Sequence, residues 1–168
     1  MELIISRQEI QLRIKQLALD IANDHTNTAN ALPPVMICIL NGAYMFYTDL
    51  LRNIPLDVQS DFVRMKSYEG QDNSGGIQIL KGLETDLKGR NVYVVDDICD
   101  TGTTILEALF MVNSHLPAQV KVVTLLRRRD GVNLTDFCGF ELGDEWVAGF
   151  GLDNNGVGRN LEDLYEVK

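Results

Sequence analysis

The stretch Asn91–Leu109, which reads NVYVVDDICDTGTTILEAL, decides the fold. It opens with Val92–Val95, a run of β-branched and aromatic residues that is typical of a strand buried on both faces. Three carboxylates follow within Asp96–Asp100, and four small residues, Thr101–Thr104, come directly after them. Apolar residues then recur at helical spacing. The predicted order is therefore strand, acidic turn, hydroxyl-rich loop and helix.

This order favours a phosphate site, although a simpler interpretation exists. A helix N-terminus presents free N–H groups and the positive end of the helix dipole, and Gly102 lets the backbone approach a ligand closely. Asp96 and Asp97 come at the carboxyl end of a parallel strand, where they could bind sugar hydroxyls, hold a divalent metal or move a proton. In the simpler interpretation, Asp100 or Thr101 only caps the helix. Capping leaves the other two acids unexplained.

The remaining apolar runs predict alternating helices and strands. Ser6–Glu9 is a capping box that opens a helix with an apolar face. Val35–Leu40 is typical of a central parallel strand, and Asn41-Gly42-Ala43 leads from it into a second helix. Further strands are predicted at Val58–Lys66, Ile77–Leu80 and Val120–Leu126, and a further helix over 104–114. Two short, partly alternating runs follow at Asp136–Leu142 and Glu145–Leu152. We expect one α/β domain over residues 1–168, with a central, mostly parallel sheet flanked by helices and a small hood from the N- and C-terminal segments.

Composition excludes several classes of protein. The net charge of −9 argues against a protein that coats nucleic acid. No apolar run approaches the length of a membrane span, and the N-terminal residues lack the pattern of a signal peptide, so we expect a cytoplasmic protein without a membrane partner. Cys38, Cys99 and Cys138 form no metal-binding spacing, and we interpret them as small buried hydrophobes. We interpret His25 and His115 as structural or surface residues.

The central stretch resembles the phosphoribosyl-pyrophosphate (PRPP) signature of type I phosphoribosyltransferases. That signature has four hydrophobic residues, two acids and a short loop to Asp-Thr-Gly-x-Thr, which here ends at Thr104. Other segments are similar to the hypoxanthine-guanine (6-oxopurine) branch in the same order, from about Ile5 to Leu164. The resemblance implies Mg²⁺-dependent transfer of a phosphoribosyl group from PRPP to hypoxanthine or guanine, giving IMP or GMP and pyrophosphate in purine salvage.

The resemblance also implies a role for each motif. Asp100 would be the general base near the purine imidazole nitrogen, and the polar segment 67–76 would belong to a catalytic loop that closes over the site. The implied contacts are Asp96 and Asp97 for ribose; Asp100, Thr101, Gly102, Thr103 and Thr104 for the 5′-phosphate; Asn41, Gly42 and Arg159 for pyrophosphate; Lys66, Ser67 and Tyr68 for the catalytic loop; Arg128, Trp146, Val147 and Leu152 for the base; and Asp153, Asp96 and Asp97 for the metal.

Two departures from the family pattern keep alternatives open. Arg128 stands where the family has a Lys that reads the purine 6-oxygen, so another base, xanthine or a pyrimidine, is an alternative. Asn41 stands where the family often has Lys or Arg. A PRPP-sensing regulator that binds RNA is a third possibility, but it needs a basic face, and the chain's one basic cluster is Arg127–Arg129. We expect PRPP and a purine base as partners, and a homodimer or homotetramer.

Overall fold

The computed structural model describes residues 1–68 and 76–168, which contain nine strands and three helices. The strands are β1 (Glu2–Ile5), β2 (Val35–Leu40), β3 (Gln59–Tyr68), β4 (Gly76–Lys81), β5 (Asn91–Cys99), β6 (Gln119–Arg128), β7 (Phe137–Leu142), β8 (Val147–Ala148) and β9 (Leu164–Glu166). The helices are α1 (Arg7–Asn27), α2 (Tyr44–Asn53) and α3 (Thr103–Asn113).

Six strands form the main sheet in the order β4-β3-β2-β5-β6-β7. All neighbouring pairs in it are parallel except β3 and β4, which form an antiparallel pair at one edge. A second, three-stranded antiparallel sheet joins the two ends of the chain, because β1 pairs with β9 and β9 pairs with β8. The α/β fold, the mostly parallel sheet and the hood from both terminal segments are therefore confirmed.

Both faces of the main sheet are covered by helices, which explains the continuous apolar strands. On β5, Tyr93 and Val95 join a core cluster with the buried faces of α1 and α2. Val92 and Val94 point the other way and join a cluster with α3. This alternation is the two-residue period of a strand, so a central strand needs apolar residues at every position.

Helix α1 begins as the sequence predicts. The Ser6 backbone N–H donates to Glu9 Oε2 at 2.9 Å, and the Ser6 hydroxyl accepts from the Glu9 N–H, which together make the capping box. His25, near the end of the same helix, is buried, and its Nδ1 lies 3.0 Å from Asn91 Nδ2 at the start of β5. His25 is therefore structural, as interpreted.

The cysteines are free, and Cys38 and Cys99 are buried while Cys138 is partly buried. Burial, and then the charges of Asp96 and Asp97, raise the pKa of Cys38 to about 12. Its thiol therefore stays protonated and inert near neutral pH. No helix within the two described ranges is both long and apolar enough to cross a bilayer.

Several predicted bounds were wrong at the carboxyl ends of strands. Strand β5 does not end at Val95 but continues to Cys99, because its ladder with β6 includes Asp96 and goes on past Asp97 to Ile98 and Cys99. Strand β6 likewise continues to Arg128 rather than ending at Leu126. Helix α3 begins at Thr103, not at 104, and its N-cap is Gly102 rather than Asp100 or Thr101.

The β3–β4 hairpin also differs from the prediction. Lys66, Ser67 and Tyr68, expected in a catalytic loop, are the last residues of strand β3, where they pair with the first part of β4. The remaining predicted loop, residues 69–75, lies outside the described residues. Of the predicted run Glu145–Leu152, only Val147–Ala148 forms a strand.

Candidate active site

A cavity of 610 Å³ opens at the carboxyl ends of the parallel strands. Segments that follow β2, β5 and β8 meet there, as expected for an open α/β sheet. The predicted residues that line it are Asn41, Gly42, Asp96, Asp97, Asp100, Thr101, Gly102, Thr103, Thr104, Trp146, Asp153 and Arg159. The structure thus brings together the predicted phosphate, ribose and pyrophosphate segments and the predicted metal ligands.

The loop between β5 and α3 has the geometry of an anion site. Gly102, the N-cap of α3, has a φ of +79°, a left-handed conformation that favours glycine, and it has no side chain to cap the helix. The nearby Thr101 hydroxyl accepts from the Thr103 N–H only at 3.5 Å. The Thr101 and Thr103 hydroxyls lie 3.1 Å apart at the mouth of the loop. A helix N-terminus whose N-cap is glycine, with hydroxyls beside it, offers several donors to one phosphate group.

Asp96 and Asp97 form a crowded acidic pair at the floor of the cavity. The Asp97 N–H donates to Asp96 Oδ1 at 3.0 Å, and the Ile98 N–H donates to Asp97 Oδ1 at 2.7 Å. Burial, and then the charge of Asp97, raise the pKa of Asp96 well above its usual range. Burial also raises the pKa of Asp97, although the Arg159 charge opposes that shift. The pair resists carrying two charges without a cation or donor beside it.

The acidic pair predicts an unusual pH dependence of stability. Because the folded protein holds the Asp96 proton more tightly than the unfolded chain does, stability falls as pH rises from about 4, the usual carboxyl pKa, towards the raised value. Asp96→Asn is expected to remove this loss, since its amide mimics the protonated acid. The variant should be more stable than wild type at pH 8 and equal to it near pH 4. Urea titration with a chelator present measures this.

Asp57→Asn is the matched control, because Asp57 is exposed and lies away from the cavity. It should leave the pH dependence of unfolding as in wild type. If the free energies of unfolding of wild type and Asp96→Asn run parallel from pH 4 to pH 8, the pKa of Asp96 is not raised in the folded protein, and the prediction is wrong.

The loop after β2 packs directly on Asp97 of the acidic pair. A Cβ placed on Gly42 would lie 1.5 Å from Asp97 Oδ2, so only glycine leaves room for the carboxylate. Gly151, whose φ is +101°, approaches from the hood, and a Cβ on it would lie 2.1 Å from the Gly42 carbonyl oxygen. Two glycines therefore let three segments, after β2, on β5 and after β8, touch without an intervening side chain.

Asp153 and Arg159 form an ion pair on the hood side of the cavity. Arg159 Nη2 lies 2.5 Å from Asp153 Oδ1, and Arg159 Nη1 donates to the Gly151 carbonyl at 2.7 Å. The other Asp153 oxygen accepts from the Gly156 N–H at 2.8 Å. Among the residues that the structure describes, four carboxylates and one guanidinium line the cavity, so this part of its wall is acidic.

A second cavity of 200 Å³ adjoins the first and shares Asp97, Asp100, Trp146 and Asp153 with it. The predicted base contacts Arg128, Trp146, Val147 and Leu152 all line it. We call it the base-side cavity. It lies next to the loop between β5 and α3, because Asp100 of that loop lines both cavities.

Sequence reasoning missed some lining residues and misplaced others. Met65 of β3 lines the main cavity, while Lys66, its neighbour, does not and is exposed. Asp130 and Asp144 line a third cavity of 340 Å³ with Asp100, Arg128 and Trp146. The sequence could have indicated Asp130 and Asp144 as lining residues, since both acids follow the carboxyl end of a parallel strand. Among the described residues, no group of three or more His, Cys, Asp or Glu side chains is arranged to hold a metal by itself.

These features define an α/β protein with the geometry of an anion site and an acidic pair beside one cavity at the carboxyl edge of its sheet. The model of the phosphoribosyl transferase domain matches residues 6–155, so the chain belongs to this family. The resemblance to its hypoxanthine-guanine branch is also confirmed by the relatives.

The hypoxanthine-guanine-xanthine phosphoribosyltransferase of Tritrichomonas foetus is 36% identical over 94% of this chain and 86% of its own. The hypoxanthine-guanine phosphoribosyltransferase of Bacillus subtilis is 33% identical over 99% and 93%. Among solved structures, a hypoxanthine-guanine phosphoribosyltransferase of Bacillus anthracis has a TM-score of 0.91 at 34% identity, covering 100% of this chain and 99% of that one. The hypoxanthine phosphoribosyltransferase of Trypanosoma cruzi with the product IMP has a TM-score of 0.91 at 30% identity, covering 100% and 94%.

Proposed function

We propose that this protein is a purine-salvage enzyme that transfers the phosphoribosyl group of PRPP to hypoxanthine or guanine and releases pyrophosphate. The observation that carries the proposal is the meeting of four segments, 41–42, 96–104, 146 and 153–159, around one cavity that adjoins a smaller one. That arrangement has room for a sugar with phosphate at both ends and a flat base beside it. Relatives of the same length and fold carry this activity in their names.

Each segment takes a role that suits its chemistry. The open N-terminus of α3, with Thr101–Thr104, binds the 5′-phosphate. Asp96 and Asp97 accept hydrogen bonds from the ribose hydroxyls. The backbone at Asn41 and Gly42, together with Arg159, holds pyrophosphate. Fixing the three groups in line lowers the barrier, because transfer then needs little further loss of freedom.

Asp100 is suited to move the proton of the base. It lines the main cavity, the base-side cavity and the 340 Å³ cavity, between the loop that precedes α3 and Trp146, which is where the imidazole ring of a bound purine would sit. A carboxylate there accepts the imidazole proton as the new bond forms at ribose C1. Arg128 carries only donors, so it suits a base with an oxygen at C6 and disfavours the amino group of adenine.

Mg²⁺ is the cofactor that the donors fit. Asp153, Asp96 and Asp97 offer hard carboxylate oxygens on a cavity wall, and a Mg²⁺ ion takes one or two such ligands and completes its shell with substrate oxygens and water. When bound, Mg²⁺ offsets the negative charge of the departing pyrophosphate. The ion pair between Arg159 and Asp153 has to break before Arg159 can bind pyrophosphate and Asp153 can bind Mg²⁺.

A panel of bases tests the proposal. We expect PRPP and Mg²⁺ to give IMP with hypoxanthine and GMP with guanine, no product with adenine, and loss of product when EDTA replaces Mg²⁺. Xanthine is included because the Tritrichomonas foetus relative is named for it and Arg128 differs from the family Lys. Uracil covers the pyrimidine alternative. Absence of product from every base would overturn the proposal, and salt-dependent RNA binding would then favour a regulator.

We further propose that residues 1–168 act as one domain and that copies assemble into a homodimer or homotetramer, as sedimentation velocity would measure. A study of the Trypanosoma cruzi enzyme concerns the effect of its C-terminal region on oligomeric state. We also propose a cytoplasmic location, because PRPP is too highly charged to cross a bilayer unaided. Cell fractionation with an antibody tests that location.

A further inference from the structure

Trp146 carries a large exposed ring in a short connection. It is the single tryptophan of the chain and is 61% exposed, in the segment Gly143–Trp146 between β7 and β8. Trp146 lines both the main and the base-side cavities. Among the described residues, its ring pairs with no other aromatic ring. Packing against other rings therefore does not fix the orientation of this ring. Its position depends on the contacts that hold the backbone of the Gly143–Trp146 connection.

Arg128 fixes that backbone. Its Nη1 donates to the Gly143 carbonyl and to the Glu145 carbonyl, each at 2.7 Å. Hydrogen bonds from a guanidinium are shorter and stronger than those between neutral groups. The two ends of the connection are held separately, since Leu142 pairs with β6 and the Val167 N–H donates to the Trp146 carbonyl at 2.7 Å. Arg128 thus supplies the contacts to the middle of the connection.

We propose that Arg128 is a positioning residue for Trp146, which it holds beside the base-side cavity through the Gly143 and Glu145 carbonyls. The inference rests on the proposed function and adds to the base contact implied by the resemblance. Both hydrogens of Nη1 are used on the backbone, which leaves Nε and Nη2 as donors for a base. One guanidinium therefore does two tasks with different nitrogens, because its donors are spread over a rigid plane.

Lysine at this position cannot divide the tasks in the same way. An ammonium carries its three N–H donors on one nitrogen at the end of a flexible stem, so that single atom would have to lie within hydrogen-bonding distance of a base and of both carbonyls at once. Arg128→Lys keeps the charge and one donor for the base but is expected to free the Gly143–Trp146 connection. Trp146 should then sample more orientations, and base binding should weaken while PRPP binding does not.

Time-resolved fluorescence anisotropy of Trp146 tests the first consequence without substrate. In Arg128→Lys, we expect a larger nanosecond depolarisation than in wild type, because loops and side chains move on that timescale when released. Arg129→Lys is the matched control, since Arg129 is the exposed neighbour on the same chain segment, and it should match wild type. Arg128→Gln, whose amide is neutral and sits on a shorter side chain, replaces Arg128→Lys if the latter does not fold by thermal melting.

A double-mutant cycle on base KM tests the second consequence. Arg128→Lys is expected to raise the KM for hypoxanthine about 10-fold and leave the KM for PRPP unchanged. Trp146→Ala should have an effect of similar size. If Arg128 acts through Trp146, the double variant should be little worse than Trp146→Ala alone.

Either of two results overturns the inference: an unchanged nanosecond depolarisation in Arg128→Lys, or fold-changes in KM that multiply in the double variant. Multiplication would mean that Arg128 acts on the base directly and only so. The anisotropy measurement needs no turnover, so it decides the role of Arg128 even if the base panel gives no product. The two failures are therefore distinguishable.

Discussion

Asp100→Asn is expected to lower kcat for nucleotide formation by about 10²–10⁴-fold, the usual contribution of a positioned general base. The amide keeps the size of the side chain but cannot accept a proton. Asp97 and Asp153 also line both the main and the base-side cavities, but Asp100 in addition belongs to the loop between β5 and α3 and lines the 340 Å³ cavity. Steady-state kinetics with hypoxanthine and PRPP measures the loss, and the KM for PRPP should change much less.

Asp130→Asn is the matched control for this variant. Asp130 lines the 340 Å³ cavity beside Asp100 and Arg128 but neither of the other two cavities. Removing its charge should change kcat by less than about 3-fold, since a charge at the surface acts weakly through solvent. Equal losses in the two variants would assign the effect to the general field of the cavity instead of to proton transfer.

The residues around Asp100 were predictable because their chemistry is local. A buried strand, two acids, an Asp-Thr-Gly loop and a helix follow one another within 19 residues, Asn91–Leu109, so the anion site could be derived from order alone. The six-stranded sheet followed from continuous apolar runs such as β2, which are typical of strands covered on both faces.

Contacts between segments that are distant in the chain could not be predicted from the sequence. The strand bounds were wrong at Cys99 and Arg128 because ladder pairing with a neighbouring strand, not local pattern, extends β5 and β6 past their polar residues. The hydrogen bonds from Arg128 to the Gly143 and Glu145 carbonyls depend on a backbone path 15 to 17 residues away. A basic run after a strand gives no sign of such a path.

The packing of Gly42 on Asp97 is a further long-range contact, and it carries the last prediction. Gly42→Ala is expected to cost about 1–3 kcal/mol of stability, the usual range for overpacking. The added methyl would lie 1.5 Å from Asp97 Oδ2, so the carboxylate must turn away and lose the 2.7 Å bond from the Ile98 N–H. Gly42 is outside the left-handed region, so backbone strain does not contribute. With Asp97 displaced, the KM for PRPP should rise at least about 10-fold.

A second substitution separates this clash from a general loss of folding. Asp97→Ala in the Gly42→Ala background removes the carboxylate that the methyl meets, so it should restore much of the lost stability while PRPP binding stays weak. Gly82→Ala is the control, because a Cβ there meets no atom within 4 Å, and its effect should stay within about 0.5 kcal/mol. Urea unfolding and PRPP titration measure both quantities. If Asp97→Ala fails to rescue Gly42→Ala, the methyl acts on some other neighbour, and the Gly151 backbone, which approaches Gly42 from the hood, becomes the site of the strain.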